Sequence, residues 1–231
     1  MKNNDFTKYA VSRGLNSMNV EKAMTKMYNG ISSPYILEER ELHVQQLDII
    51  SRLQMERIIF LGSEINSDTA NIIIAQLLYL QSIGDQPVTM MISSPGGEIY
   101  SGESIIDTMN YLTIPVYTQC VGLAASMASV VLACGEAGHR CALPHSRIMI
   151  HQPMGGAPAG TQASDFEINC KQILALKKEL AQMIADASGK DVDDVIKDCD
   201  RDFWMRADEA LPGKYGERGL IDSILVKKEN K

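Results

Sequence analysis

From Gly122 to Cys134 the chain reads Gly-Leu-Ala-Ala-Ser-Met-Ala-Ser-Val-Val-Leu-Ala-Cys, and almost nothing in that run prefers water. A stretch so apolar has to be buried. It falls short of the ~18 uninterrupted apolar residues that a membrane span needs, so the burial must come from protein. A strand pattern over Pro115 to Cys120 leads into it, and Cys120 to Cys134 is expected to be a buried helix preceded by a glycine. The fold must therefore feed a strand into a helix at the centre of its core. Within this run the hydroxyl of Ser126 either caps the buried helix or is a nucleophile at its positive end. Position in the chain leaves both open.

The surrounding sequence alternates in type. Ile58 to Leu61 reads as a strand, and Ser67-Asp68-Thr69 as the N-cap of a helix through Leu80 that Gly84-Asp85 ends. Val88 to Ile92 is a strand, Ser94-Pro95-Gly96-Gly97 a turn and Ser101 to Leu112 a helix. Further strands are expected near Tyr117 and Met149. That order implies βαβ crossovers and a mainly parallel sheet, an α/β fold. Upstream, Gln45 to Arg57 reads as helix. Downstream, His139 and His145 flank a turn-rich hairpin. Ser164-Asp165-Phe166-Glu167 reads as a capping box, opening a helix of roughly two dozen residues that ends at Ser188-Gly189. Its apolar positions (Phe166, Ile168, Ile173, Leu174, Leu176, Leu180, Met183, Ile184) cover more than one stripe, which points to subunit association. Residues 1–33 read as an N-terminal extension, and 34–231 as a single domain.

Composition narrows the class of function. A formal charge of −7 argues against nucleic acid or an anionic membrane as partner, since both demand clustered Lys and Arg. The odd set Cys120, Cys134, Cys141, Cys170 and Cys199 holds no C-x-x-C pair, so neither a disulfide framework nor a zinc site is expected. A reducing compartment fits. The polar first thirty residues lack an apolar signal core, and the protein reads as cytoplasmic. No metal or cofactor is expected.

Attack by a hydroxyl on a carbonyl needs a base in hydrogen-bond reach, an acid to orient it and backbone donors for the oxyanion. Of the histidines, His43 lies in a polar region and His139 and His145 beside turns. His151 alone ends an apolar strand and precedes glycines. A lone histidine in that position can equally be a structural hydrogen bonder. It gains interest because Ser126 would lie at the same end of a parallel sheet, where open α/β folds place their sites.

Five segments then stand in a telling order: Ser94-Pro95-Gly96-Gly97; Gly122 through Ser129; Leu143-Pro144-His145-Ser146-Arg147-Ile148-Met149-Ile150-His151-Gln152-Pro153-Met154-Gly155-Gly156; Asp200-Arg201-Asp202 before Phe203-Trp204; and Gly219-Leu220-Ile221-Asp222. From about Pro34 to Lys228 the chain resembles the proteolytic-subunit family of the Clp protease (ClpP), within the crotonase-like fold group. The resemblance implies a layered sheet-and-helix head with a protruding strand and long-helix handle, about 152–188, for ring stacking. It implies that Ser126 is the nucleophile, His151 the base and Asp202 its orienting carboxylate, with the oxyanion held by the amides of Gly97 and Met127. Substrate would pair its backbone with Ser94, Pro95 and Gly96 on one side and with Gln152, Pro153, Met154 and Gly155 on the other. Leu123, Met127 and Met154 would add apolar contact. Two stacked heptameric rings are implied, with Arg147 and Arg201 as candidates for ion pairs between them.

The resemblance further implies that unfolded proteins and peptides are the substrates. An AAA+ Clp ATPase such as ClpX, ClpA or ClpC would deliver them, for this chain has no G-x-x-x-x-G-K-[ST] and binds no ATP that way. The partner's loop would dock beside Phe60, Thr89 and Met91. The extension would be a propeptide cut between about Asn29 and Pro34. Alternatives are an inactive or regulatory subunit of a mixed ring, and a crotonase-like acyl-CoA enzyme.

Overall fold

The computed structural model describes residues 35–40, 43–156 and 158–227, together with Ser12. The cleavage point expected between Asn29 and Pro34 lies outside the described residues, as does the extension apart from Ser12. An antiparallel pair, β1 (Tyr35–Arg40) and β2 (His43–Asp48), precedes helix α1 (Ile49–Met55). The alternating body follows: β3 (Ile58–Leu61), α2 (Ser67–Ser82), β4 (Val88–Ser94), α3 (Ile99–Tyr111), β5 (Val116–Ala125), α4 (Met127–Ala133), β6 (Arg140–Ala142) and β7 (Arg147–Ile150). Helices α5 (Ala163–Ser188) and α6 (Val192–Asp198) lead to β8 (Phe203–Arg206) and the short β9 (Ser223–Ile224).

Strands β3, β4, β5, β6 and β9 run side by side and parallel. β5 is the pivot of the sheet. Its first half pairs with β6 through Thr118 to Cys120, and its second half with β7 through Leu123 to Ala125. Between the halves Gly122 sits at φ 102°, a left-handed value natural only to glycine. The Ser146 hydroxyl spans this break, donating to Cys120 O at 3.0 Å and accepting from Gly122 N at 3.2 Å. The sheet thus splits: β6 continues one way, while β7, joined antiparallel by β8, continues the other. Ile59, Leu61, Met90, Ile92, Cys120 and Ala124 are sealed in the core, while the alternate residues Ile58, Phe60, Thr89, Met91, Tyr117 and Gln119 are only partly buried, so one face of the sheet is covered and the other is not.

Several elements differ from the sequence reading. The helix expected from Gln45 begins only at Ile49, because Gln45 to Asp48 pair with Tyr35 to Glu38 in β1. The Asp48 carboxylate then caps α1, accepting from the Ser51 amide at 2.9 Å. The buried helix expected over Cys120 to Cys134 is a strand to Ala125 and helix only from Met127. A fully buried strand and a buried helix share one apolar signature, so periodicity could not divide them. The hairpin near His139 and His145 is no hairpin, since β6 and β7 pair with successive parts of β5 rather than with each other. Asn66, not Ser67, caps α2, exchanging two bonds with Thr69. The capping box at Ser164 is absent, for α5 starts behind Gln162 without a side-chain cap. Nor is a strand formed among the described residues of 152–162. An extended segment becomes a strand only beside a partner edge, and this one leaves the sheet at His151. No helix of the described residues is long and apolar enough to cross a membrane.

Candidate active site

Strand geometry brings three distant parts of the chain to one point. β5 and β7 run parallel, so both end at the same edge, with Ala125 opposite Met149. Ser126 follows Ala125, and its amide donates to Met149 O at 2.8 Å. β8 runs the other way and begins at that edge, with Phe203 opposite Ile150. One step beyond that pair lie His151 and Asp202. Ser126, His151 and Asp202 are thereby adjacent by register.

Their side chains meet. His151 Nε2 is 2.8 Å from Ser126 Oγ, and Nδ1 is 3.3 Å from Asp202 Oδ1. A carboxylate can only accept, so Nδ1 carries the proton and Nε2 is left with a lone pair facing the hydroxyl. Ser126 precedes the first residue of α4, yet its hydroxyl makes no cap bond. Of the two readings open in the sequence, the cap is therefore not taken up. Its backbone is also unusual, at φ 54° and ψ −130°, a region that costs a Cβ-bearing residue about 1–3 kcal/mol. No residue pattern around Ser126 announces that strain.

The turn after β4 presses against this corner. A Cβ built on Gly96 would stand 2.5 Å from Ala125 O and 2.7 Å from Ser126 Cβ; one on Gly97 would stand 2.0 Å from Ile65 O. Only glycine lets the turn lie so close. Among the described residues no backbone acceptor takes the amides of Gly97 or Met127, whereas Gly96 N is occupied by Ser94 Oγ at 3.1 Å. Two free donors consequently flank the hydroxyl. Ser94 is fully buried and spends its own proton on Ser63 O at 2.5 Å, so it shapes the turn.

A cleft opens from Ser126 and His151 between α4, α5 and α6, walled by Met127, Val130, Leu180, Ala181, Ile184 and Ile196. Gln152, Pro153 and Met154 form its rim, and Met154 is 81% exposed. The Gln152 amide donates to Cys199 O at 2.6 Å and is not available to a second acceptor. Gly155 backs onto Ile173 of α5. Leu123 lies outside the lining, within the β5–β7 ladder. Cys199 joins the cleft wall, but burial pushes its thiol up to about 11, which keeps it protonated near neutrality. Among the described residues Arg147 reaches only the carbonyls of His145 and Ser146, while Arg201 is exposed with Asp200 4.0 Å away. No cluster of three His, Cys, Asp or Glu suited to a metal occurs among the described residues. Lys177, which also lines the cleft and binds Gln152, was missed in the sequence. Its only signal was a basic residue one turn before Leu180 on the inward face of α5.

A family model described as Clp protease matches residues 39–228. The ATP-dependent Clp protease proteolytic subunit of Bacteroides fragilis is 53% identical, over 97% of this chain and 99% of its own. The protein of the same name in Porphyromonas gingivalis is 51% identical, over 97% of this chain and 98% of its own. ATP-dependent Clp protease proteolytic subunit 1 of Salinibacter ruber is 49% identical, over 83% of this chain and 80% of its own.

Proposed function

The chain belongs to the Clp protease family and is a serine-type peptidase, and on that premise we propose that Ser126, His151 and Asp202 form its catalytic triad. The observation that carries this is the continuous relay from Asp202 through His151 to an uncapped, strained Ser126. Ser126 Oγ attacks the scissile carbonyl carbon and passes its proton to His151 Nε2. The oxyanion accepts bonds from the amides of Gly97 and Met127. As the tetrahedral species collapses, the C–N bond breaks and His151 returns the proton to the departing amine. Water, deprotonated by the same imidazole, then cleaves the acyl-serine ester and restores the hydroxyl. Asp202 holds the imidazole in its Nδ1–H tautomer and stabilises the imidazolium between steps.

The apolar cleft favours an apolar side chain before the cut, and the backbone of the Pro153 to Gly155 rim on one side and of Pro95 on the other holds extended substrate, since the Gln152 and Gly96 amides are already taken. On this reading the chain is a cytoplasmic endopeptidase for unfolded proteins and peptides. The relatives' names call them ATP-dependent, and this chain carries no P-loop signature. The nucleotide is accordingly spent by a separate Clp ATPase, docked beside Phe60, Thr89 and Met91, and this chain needs no cofactor. Assembly into two stacked heptameric rings would cover the apolar residues that α5 exposes, namely Phe166 (58%), Ile168 (62%) and Leu174 (55%). It would also give Arg147 and Arg201 their partners. The comparisons favour neither an acyl-CoA enzyme nor an inactive ring subunit.

A fluorophosphonate probe tests the assignment. It should label the wild-type protein once per chain, and labelling should vanish in Ser126→Ala and fall at least a hundredfold in His151→Ala. Undiminished labelling of Ser126→Ala would sink it.

A further inference from the structure

We propose that Gln152 is a positioning residue for the His151–Asp202 pair, held in its working orientation by Lys177; the inference rests on the triad reading and deepens it. Asp202 is 61% exposed, and among the described residues its carboxylate has no partner except His151. Nothing packed around the side chain fixes it. Its place therefore depends on backbone, on the β7–β8 register that follows it and on the turn from Cys199 to Asp202 that precedes it, between the end of α6 and the start of β8.

Gln152 grips that turn twice. Its amide donates to Cys199 O at 2.6 Å, and its side-chain Nε2 donates to Asp200 O at 2.8 Å. The turn's own bonds only lead back into α6, from Cys199 N to Val195 O at 2.9 Å and from Asp200 N to Lys197 O at 3.2 Å, and none reaches toward His151. Because Gln152 directly follows His151, one stretch of backbone carries the base and clasps the acid's turn.

The clasp works only if the amide faces the right way, and Lys177 decides that. Its Nζ donates to Gln152 Oε1 at 2.8 Å. An ammonium has only donors, so Oε1 must point at Lys177 and Nε2 at the Asp200 carbonyl. Turned over, the amide would set NH₂ against ammonium and oxygen against carbonyl oxygen. Among the described residues Lys177 makes no ion pair, and its ammonium is bonded to Gln152. A lysine lining an apolar cleft is thus committed to orienting the clasp.

A double-mutant cycle with Asp202→Asn tests this, read by kcat on a short fluorogenic peptide and by the pH dependence of fluorophosphonate labelling. Gln152→Leu should lower kcat about 10–100-fold, with KM within about twofold, and shift the apparent pKa of labelling downward because the imidazolium loses support. In the Asp202→Asn background the same substitution should cost less than about twofold, since the group it positions is already gone. Gln152→Glu keeps the acceptor for Lys177 and loses the donor to Asp200, so it should resemble Gln152→Leu. Lys177→Met should give the same signature more weakly, and Lys177→Arg should restore at least half the rate. These two also serve if Gln152→Leu fails to assemble by native mass spectrometry. Equal loss from Gln152→Leu in both backgrounds, or no shift in the labelling pH profile, overturns the positioning role while leaving the triad intact. No loss in Asp202→Asn alone overturns the triad reading itself.

Discussion

At Ser126 a single residue bears both the chemistry and a conformational cost. Its φ of 54° is forced by the turn from Gly96 lying against it on one side and by the bond to Met149 O on the other. Replacing the serine by alanine or by glycine removes the hydroxyl equally, but only glycine adopts that backbone without a Cβ penalty. The strain is worth about 1–3 kcal/mol, and glycine's extra freedom in the unfolded chain takes back about 0.4–1 kcal/mol. Ser126→Gly is therefore expected to melt above Ser126→Ala by a few degrees, given about 2–4 °C per kcal/mol for a domain of this size. Calorimetry on both inactive proteins at equal concentration measures it, and a lower melting point for Ser126→Gly would show that no strain is stored there. His151 was legible in the sequence because it closes an apolar strand, and Ser126 as a hydroxyl set in an apolar run, although the division of that run into strand and helix at Ser126 was not readable. Nor was the strain, because φ at Ser126 is dictated by a turn some thirty residues away in the chain.

Between elements, the close fit of α3 against α4 sets where the Met127 amide stands. Gly102 of α3 faces the Met127 side chain so closely that a Cβ there would lie 2.2 Å from Met127 Cγ and 2.8 Å from Cε. Alanine at this helical site gains about 0.5–1 kcal/mol of propensity, but overpacking a filled core costs about 1–3 kcal/mol. The clash involves an atom near the backbone, which cannot swing away cheaply, so the cost prevails. Gly102→Ala is predicted to lower thermal stability and to reduce kcat several-fold, as the Met127 amide shifts from its place beside the hydroxyl. Adding Met127→Ala should recover part of the stability, and steady-state kinetics with melting curves on both proteins would show it. Failure of the second substitution to recover any stability would mean the contact is slack. The alternation of β3 to β5 with α2 and α3 was readable from apolar periodicity and turn residues. What escaped was long-range pairing: the β1–β2 ladder that displaced a helix at Gln45, the division of β5 at Gly122, and the antiparallel β8. Of these, β8 matters most, because its register delivers Asp202. Phe203 to Arg206 is too short a run to announce itself, and the carboxylate stood out from its acidic neighbours only through family resemblance.

Across the whole molecule, one buried cation ties the C-terminal segment and the ends of two helices to the sheet. Arg140 on β6 is 3% exposed and donates to Ala133 O at the end of α4, to Ala187 O near the end of α5, and to Arg218 O. Its charge is met by Asp222, which takes bonds of 2.6 and 3.0 Å from the guanidinium and 2.8 Å from the Arg140 amide. The Gly219 to Asp222 segment, recognised in the sequence only as a recurring word, is thus the acid that closes the fold. Burial alone would raise the Asp222 carboxyl, but the hydrogen bonds from Arg140 outweigh it and hold it below the usual carboxylate range. A carboxyl whose folded value lies below its unfolded one, near ~3.9, adds stability that is fully present above about pH 5 and is lost as the pH falls through the folded value. Asp222→Asn leaves Arg140 without its counter-charge, and breaking such a pair costs about 3–5 kcal/mol. The lower end is expected, because the three carbonyls remain. Urea unfolding of wild type and Asp222→Asn at pH 7 and pH 3, at one protein concentration, should show a wide stability gap at pH 7 that narrows at pH 3, where the carboxyl of the unfolded chain has already taken up its proton. A gap of the same size at both values would mean that the carboxyl acts by shape and hydrogen bonding alone, and that the charge of Arg140 is satisfied by the helix-end carbonyls.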